Sequence, residues 1–216
     1  MFRDDFLQAL QNSYQAYLEN GARSNKKLIP IHGFIANEFY KEGYNVKSLG
    51  FKDGKEFKID GYLMKKDIDI SLFSQDEFKA AISFKFVTGN YSQNSNNYFE
   101  NMLGECINIK ASGQLFFHIT VLFNETPKRN KDGKIIRYEK LSNNNLLKYI
   151  KLMDGVDGFH KPDNLFIVIL DVDENNKLSY TDINNLSLAT IIKRKLLNNF
   201  SIDNLKDKIN LSLSIY

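Results

Sequence analysis

The sequence predicts an α/β fold in which helices flank a mixed central β-sheet. The segments 114–123 and 164–170 are almost continuously apolar, which is typical of strands covered on both faces. Between residues 44 and 88 the apolar residues alternate with polar ones, which indicates further strands, each with one polar face. Apolar residues recur at helical spacing in five segments: 4–21, 30–43, 98–109, 141–153 and 186–197.

Length and composition narrow the class of protein. A chain of 216 residues with 43% hydrophobic and 25% charged residues suits a single folded domain, 1–216. The net charge of +3 permits a nucleic-acid partner without requiring one. There is no apolar run of 18 residues and no Gly-rich phosphate loop, so we expect neither a membrane partner nor a nucleotide cofactor.

The single cysteine and the first residues of the chain bear on the compartment. Cys106 alone cannot form a disulfide scaffold or a cysteine-based zinc site, and we expect it to be buried rather than nucleophilic. Asp4 and Asp5 stand where a signal peptide would need positive charge. We therefore expect a cytoplasmic protein.

Two strands that form a predicted hairpin carry unusual polar residues. Lys85 lies in the middle of the otherwise apolar strand 78–88, and Asp67 and Asp69 begin the strand 67–73. Because side chains alternate along a strand, the two carboxylates should share one face, and Ser83 should share a face with Lys85. A hairpin that pairs Phe73 with Phe78 brings these groups level with each other, whereas a shift of one residue separates them. We adopt the first register because it leaves one apolar set on the core side: Ile68, Ile70, Leu72, Ile82, Phe84 and Phe86.

A lysine and two carboxylates at one edge of a sheet could hold a divalent cation. Mg²⁺ prefers oxygen ligands and keeps several waters, and a nearby ammonium group can orient one of them. Hydrolysis of a phosphodiester needs an oriented hydroxide and a cation that stabilises the developing charge. The hairpin is therefore a candidate phosphodiesterase site.

These residues resemble the core of the PD-(D/E)xK nucleases, especially the type II restriction endonucleases. In that core an aspartate early in one strand is followed, a dozen or so residues later, by an acid-x-lysine triplet. Asp69 and Asp67 precede Ser83 by fourteen and sixteen positions, so both fit. The departure is Ser83, which stands where the family usually has Asp or Glu.

One branch of these enzymes has Ser-x-Lys and takes the missing glutamate from the following helix. Glu100 lies fifteen residues after Lys85 in a predicted helix, and Glu105 is a second candidate that the helix turns away from Glu100. Many members also add an acid from an early helix, a position that Glu38 could fill. The resemblance covers roughly residues 55–110.

The resemblance implies a sequence-specific, Mg²⁺-dependent endonuclease that cuts double-stranded DNA as a homodimer and leaves 5′-phosphates. The restriction-endonuclease-like catalytic core would span about 30–175, after a helical segment 1–29. Asp69, with Asp67 as the competing choice, would ligate Mg²⁺ together with Glu100. Lys85 would position the attacking water, and Ser83 would hold the place of the missing acid through a hydrogen bond or a bound water.

DNA contacts are expected from an amide-rich segment and from a basic arm. The polar stretch 89–97 predicts a loop in which amides could bind adenine edges and an aromatic ring could pack or wedge. The densest basic stretch lies in 124–140, an arm that turns at 131–133, and 193–195 is also basic. The individual candidates are Tyr91, Gln93, Asn94, Asn96, Asn97, Lys128, Arg129, Lys131, Lys134 and Arg137.

Other interpretations of the same residues remain open. Lys85 could extend from an edge strand to an aspartate, and Glu100 and Glu38 could be ordinary helix carboxylates. His118 lies in an apolar strand and is expected to be a packed core residue. A structure-selective or repair nuclease could use the same core. A non-catalytic DNA-binding protein with a degenerate core is also consistent with the sequence, and Ser83 is its best support.

Overall fold

A computed structural model describes residues 2–130 and 134–215, and it confirms the α/β fold with a mixed sheet between helices. The helices are α1 (Phe2–Asn20), α2 (Ile29–Lys41), α3 (Tyr91–Lys110), α4 (Asn143–Asp154), α5 (Thr190–Asn198) and α6 (Leu205–Ile215). The strands are β1 (Asn45–Ser48), β2 (Phe57–Ile59), β3 (Lys66–Ile68), β4 (Ile70–Ser74), β5 (Glu77–Phe86), β6 (Leu115–Phe123), β7 (Glu125–Arg129), β8 (Ile135–Lys140), β9 (Asn164–Val172) and β10 (Leu178–Tyr180). Within this part of the chain, no helix combines the length and the apolar content that crossing a bilayer would require.

Six strands form the central sheet in the order β1-β4-β5-β6-β9-β10. The pairs β5-β6 and β6-β9 are parallel, while β1-β4, β4-β5 and β9-β10 are antiparallel. Parallel neighbours need a crossover connection, and α3 supplies the one between β5 and β6. All nine residues of β6 are buried, as the apolar run over 114–123 predicts.

Helices cover both faces of this sheet. On one face, α1, α2 and α6 pack residues such as Phe6, Ile35 and Ile209 against the strands. On the opposite face, α3, α4 and α5 contribute a second apolar cluster that includes Met102 and Tyr149. Strand β5 is therefore buried from both sides, and its polar residues are accessible only where a helix leaves a gap.

The hairpin of β4 and β5 has the predicted register. Phe73 pairs with Phe78 and Ile70 pairs with Ile82, with a bulge between Leu72 and Phe73. The chain bends at Asp69, however, and β3 leaves the central sheet to pair with β2 in a separate two-stranded ribbon.

This bend overturns the expected alternation of side chains before β4. Ile68 packs in the cluster under α3, whereas Ile70 packs under α2, so the prediction that both share one face is wrong. Alternation holds only along an uninterrupted strand, and here two strands meet at Asp69. Asp67 and Asp69 consequently diverge.

Two other predicted segments differ from the structure. The stretch 89–97 is not a loop, because α3 begins at Tyr91. Its asparagines have weak helix propensity, but Tyr91 and Ser95 are buried on one side of the helix, and this packing outweighs the propensity. The single strand predicted over 56–63 is shorter, since β2 ends at Ile59 before a turn at Gly61.

The loop after this turn is attached to α3 by one buried side chain. Asn108 Oδ1 accepts hydrogen bonds from the amides of Leu63 (2.7 Å) and Met64 (3.0 Å), and Asn108 Nδ2 donates to the Met64 carbonyl (2.9 Å). Gly61 has a φ of +48°, and a Cβ there would lie 2.4 Å from Asn108 Nδ2. The loop thus holds Tyr62, Leu63 and Met64 in exposed positions beside α3.

Replacing Asn108 with alanine should destabilise the fold. Two backbone amides and one carbonyl would lose their partners, and we expect the free energy of unfolding to fall by about 1–3 kcal/mol in urea titrations. Asn101→Ala, at an exposed position of the same helix, is the matched control and should change it by less than about 0.5 kcal/mol. Equal effects of the two substitutions would contradict the assigned role of Asn108.

Candidate active site

A cleft of about 590 Å³ opens between β5, the start of β4, the loop after β2 and α3. Its walls contain Asp69, Ser83, Lys85, Glu100 and Glu105. The predicted catalytic and metal-binding groups therefore meet at one surface, with Asp67 and Glu38 as the exceptions. The remaining lining residues are Leu28, Leu63, Met64, Lys66, Phe84, Tyr98, Asn101, Met102, Gly104, Asn108 and His118.

Asp69 is held at the bend between β3 and β4 by two hydrogen bonds. Its Oδ2 accepts a hydrogen bond from the backbone amide of Phe84 at 2.8 Å, and its carbonyl accepts one from Ser48 Oγ at 2.6 Å. The pairing of β4 with β5 ends at Ile70 and Ile82, so the Asp69 side chain binds an amide beyond the end of the ladder. The carboxylate is partly buried and lines the cleft.

Ser83 contacts a glutamate from the following helix. Ser83 Oγ donates to Glu105 Oε2 at 2.8 Å, and Lys66 Nζ donates to Glu105 Oε1 at 2.6 Å. The side chain of Glu105 is 25% exposed, so this three-residue group is shielded but reachable from the cleft. The glutamate that accompanies Ser83 is therefore Glu105.

Glu100 lies five residues before Glu105 on the same helix, at a more exposed position. Five positions along an α-helix rotate a side chain by about 140° from its starting direction, which separates Glu100 from Glu105. Glu100 is exposed at the wall of the cleft, and Ser83 bonds to Glu105 instead. Of these two glutamates, Glu105 is the one that contacts Ser83.

Lys85 lies where this cleft meets a second one. Its ammonium group is exposed and stands 5.0 Å from the centre of the Tyr98 ring. The second cleft, of about 420 Å³, is lined by Lys27, Lys85 and Asn94 among others. Burial and the charge of Lys85 lower the pKa of Lys27. Lys85 therefore lies between a cleft lined by several carboxylates and a cleft whose other charged lining residue, within the described part of the chain, is Lys27.

The carboxylates of the first cleft titrate differently. Burial, together with the nearby charges of Glu105 and Glu56, raises the pKa of Asp69 to about 7, against the opposing effects of the Phe84 hydrogen bond and the Lys66 charge. Burial also acts to raise the pKa of Glu105, but the contacts with Lys66 and Ser83 outweigh it and the pKa is lowered. In the absence of a cation, Glu105 is ionised at neutral pH while Asp69 is partly protonated.

Two predicted acids point elsewhere. Asp67 is exposed on the β2-β3 ribbon, where its carboxylate lies 3.5 Å from Lys58 Nζ. Glu38 is buried in α2 and pairs with Lys41 at 2.6 Å and with Lys206 at 3.4 Å. Neither carboxylate extends into the cleft that Asp69 and Glu105 share.

Sequence reasoning missed two residues beside Asp69. His32, on α2, and Glu56, just before β2, each offer a ligand atom, and these atoms and one from Asp69 all lie within 4.8 Å of one another. His32 belongs to no recognisable metal-binding motif, and Glu56 lies at the start of a predicted strand with no motif around it. No sequence pattern therefore connects the two residues. His118 is buried, as predicted, and burial lowers its pKa to about 4.

Of the residues predicted to contact DNA bases, the tyrosine is buried and most of the amides are exposed. Tyr91 is 3% exposed and stacks on Tyr98 with ring centroids 6.3 Å apart, so its ring is not available to pack against DNA. Gln93, Asn96 and Asn97 are exposed on the first turns of α3, and Asn94 lines the second cleft: this polar set faces outward.

The basic arm is a two-stranded ribbon, formed by β7 and β8. Lys128 lies directly opposite Arg137, an arrangement of like charges that costs stability in a hairpin. Lys134 is exposed, and Arg137 lies 3.4 Å from Glu139. Lys131 lies outside the described residues, as does the side chain of Arg129. In the other basic stretch, 193–195, Lys195 pairs with Asp154.

Comparisons with known proteins identify no family. No protein-family model matches the chain, and no curated protein matches it. A crystal structure described as a protein of unknown function, AF1548, shares 15% identity and a TM-score of 0.30. That match covers 43% of this chain and 46% of the other, so the chain spans less than half of that protein. At this TM-score the match carries no argument about fold or function.

The raised pKa of Asp69 predicts how stability depends on pH without divalent cations. The folded protein binds a proton more tightly than the unfolded chain, whose aspartate has a pKa near 3.8, so stability is lost as pH rises from about 4 to about 7. In the Asp69→Asn variant, the free energy of unfolding should fall by roughly 3 kcal/mol less over this pH range, as measured by urea titrations with EDTA.

Asp67→Asn makes the same change of charge at an exposed position and serves as the control. The free energy of unfolding of this variant should depend on pH in the same way as that of the parent protein. Parallel profiles for Asp69→Asn and the parent protein would show that the Asp69 carboxylate is not destabilised by its surroundings.

Proposed function

We propose that the protein is a Mg²⁺-dependent endonuclease that hydrolyses phosphodiester bonds of double-stranded DNA, as type II restriction enzymes do. The observation that carries this proposal is the Ser83–Glu105 hydrogen bond of 2.8 Å in the cleft that Asp69 and Lys85 also line. A helix carboxylate stands beside Ser83. In the proposed site, Glu105 would supply the acid that the Ser-x-Lys arrangement lacks.

The donor set fits a hard divalent cation. Asp69 and Glu105 present carboxylate oxygens to one cleft, and both side chains are partly shielded from water. Oxygen ligands of this kind suit Mg²⁺, which retains several waters when bound. Asp69 and Glu105 would hold the ion, and Ser83 keeps the Glu105 carboxylate oriented. Lys66 donates a hydrogen bond to Glu105 in the cation-free protein, so Lys66 and Mg²⁺ would compete for this carboxylate.

The lysine at the junction of the two clefts matches the needs of the reaction. Mg²⁺, when bound, supplies charge stabilisation at the scissile phosphate and lowers the pKa of a coordinated water. Lys85 places an ammonium group at the same cleft, where it can hold the attacking water or donate to a phosphate oxygen. Lys27 and Lys85 give the second cleft a positive charge that suits the neighbouring phosphate of a strand.

The surfaces around the clefts suit duplex DNA. The outward amides of Gln93, Asn96 and Asn97 can form hydrogen bonds with base edges, and a two-stranded ribbon such as β7-β8 has dimensions that a major groove admits. Lys128 and Arg137, opposite each other on this ribbon, would gain from contact with phosphates. Homodimerisation and 5′-phosphate products are further parts of the proposal that rest on the resemblance alone.

One observation favours a second candidate, a DNA-binding protein without catalysis. Lys66 Nζ lies 2.6 Å from Glu105, so an internal ammonium group already occupies a position where a cation would be needed. With serine rather than an acid at position 83, this lysine could serve as a permanent substitute for the ion. Cleavage assays separate the two candidates.

The cleavage assay uses plasmid, phage and branched DNA with Mg²⁺ or Mn²⁺. Lys85→Ala and Glu105→Gln should each reduce the cleavage rate by about 100-fold or more, because each removes a group aimed at the reacting phosphate or its cation. Glu100→Gln, which makes the same change on the exposed side of α3, should stay within about threefold of the parent.

The pattern of products tests the finer parts of the proposal. Discrete fragments from linear duplexes support a sequence-specific enzyme, whereas cleavage confined to branched substrates supports a repair nuclease. Binding in gel shifts with no cleavage of any DNA, by the parent protein with either metal, would overturn the enzymatic proposal in favour of the binding protein. Equal losses from Glu100→Gln and Glu105→Gln would contradict the choice of glutamate.

A further inference from the structure

The strongest unassigned feature is the group formed by His32, Glu56 and Asp69. One ligand atom from each residue lies within 4.8 Å of the other two. Ligands that surround a single ion at about 2.1 Å are about 3–4.2 Å apart, so small side-chain movements would bring these three onto one cation. The three residues come from α2, from the segment before β2 and from the bend before β4.

His32 gives an independent reason to expect a ligand. Its side chain is fully buried, and neither ring nitrogen has a hydrogen-bond partner within the described ranges 2–130 and 134–215. Buried polar atoms are nearly always paired, and an unpaired one is often explained by a missing ion or water. The edge contact with the Phe84 ring, at 5.6 Å between centroids, fixes the imidazole next to the strand whose amide binds Asp69.

The donor set differs from that of the proposed Mg²⁺ site. Asp69 and Glu105 offer oxygen alone, whereas His32 adds an imidazole nitrogen to the carboxylates of Glu56 and Asp69. Imidazole is a common ligand of Zn²⁺, Fe²⁺ and Co²⁺, and mixed imidazole–carboxylate sets also suit Mn²⁺. Three protein ligands leave coordination positions open for water or a phosphate oxygen.

We propose that His32, Glu56 and Asp69 form a binding site for a first-row transition-metal dication such as Mn²⁺ or Zn²⁺. Asp69 belongs to both this site and the proposed Mg²⁺ site, so it would bridge two neighbouring ions. Any role in DNA cleavage rests on the proposed function, whereas occupancy of the site does not.

The charges around the group favour a cation. Glu56 and Glu105 act on Asp69 as like charges, and the neighbouring cation that acts on all three carboxylates is Lys66. Because Lys66 donates to Glu105, it leaves Glu56 and Asp69 without a hydrogen-bonded cation among the described residues. A bound dication would supply the missing charge and the partner for His32 together.

The test measures Mn²⁺ binding to the full chain after treatment with a chelator. Titration calorimetry gives affinity and stoichiometry, and pulsed electron paramagnetic resonance detects coupling between Mn²⁺ and an imidazole nitrogen. We expect this coupling in the parent protein and its loss in His32→Gln. Glu56→Gln, a change at a half-buried position, should weaken the nitrogen-coupled site by at least about tenfold.

The chain offers matched controls for each variant. His118→Gln and His160→Gln remove the other two imidazoles, one buried and one exposed, and should preserve the coupling. Glu100→Gln removes an exposed carboxylate and should preserve the affinity. Circular dichroism of every variant checks that the fold is intact, and Glu56→Gln keeps the test decisive if His32→Gln does not fold.

The outcomes separate this proposal from the proposed nuclease activity. Absence of nitrogen coupling, or coupling that survives in both His32→Gln and Glu56→Gln, would overturn the metal site even if Mg²⁺ supports DNA cleavage. Coupling that depends on His32 and Glu56 would establish the site even if no DNA is cut.

Discussion

The hydrogen bond between the Phe84 amide and Asp69 is the contact on which the candidate site depends. It forms because the chain bends at Asp69 and the ladder between β4 and β5 stops one pair earlier, leaving an amide without a strand partner. The same bend sends β3 outward and brings Lys66 to Glu105. One interruption of a strand therefore fixes the position of the acid, the neighbouring cation and the wall of the cleft.

The electrostatic layout follows from this geometry. The first cleft is lined by carboxylates and by Lys66, whereas the second is lined, among the described residues, by Lys27 and by no carboxylate, so the two clefts on either side of Lys85 differ in charge. Burial makes the mutual repulsion of the acids stronger than it would be in water. Lys66 and the Ser83 hydroxyl stabilise the ionised form of Glu105. Burial and the neighbouring carboxylates destabilise the ionised form of Asp69.

The sequence was sufficient for the features that depend on local pattern. The buried strands β6 and β9 and the pairing of Phe73 with Phe78 follow from apolar runs and turn length. Features that depend on tertiary contact were not predictable: the divergence of Asp67 from Asp69 needs a strand break that no proline or glycine marks. Likewise Glu105, rather than Glu100, meets Ser83 because of how α3 is rotated on the sheet, and the approach of His32 to Glu56 joins segments with no shared periodicity.

The rotation of α3 has a practical consequence for the residue next to Glu105. Successive helix positions differ by about 100°, so Cys106 faces the core when Glu105 faces the cleft, and the thiol is fully buried. Burial raises its pKa to about 12, which keeps it protonated and inert toward maleimides. Fluorophores or spin labels could thus be attached through one introduced surface cysteine while the native thiol is retained.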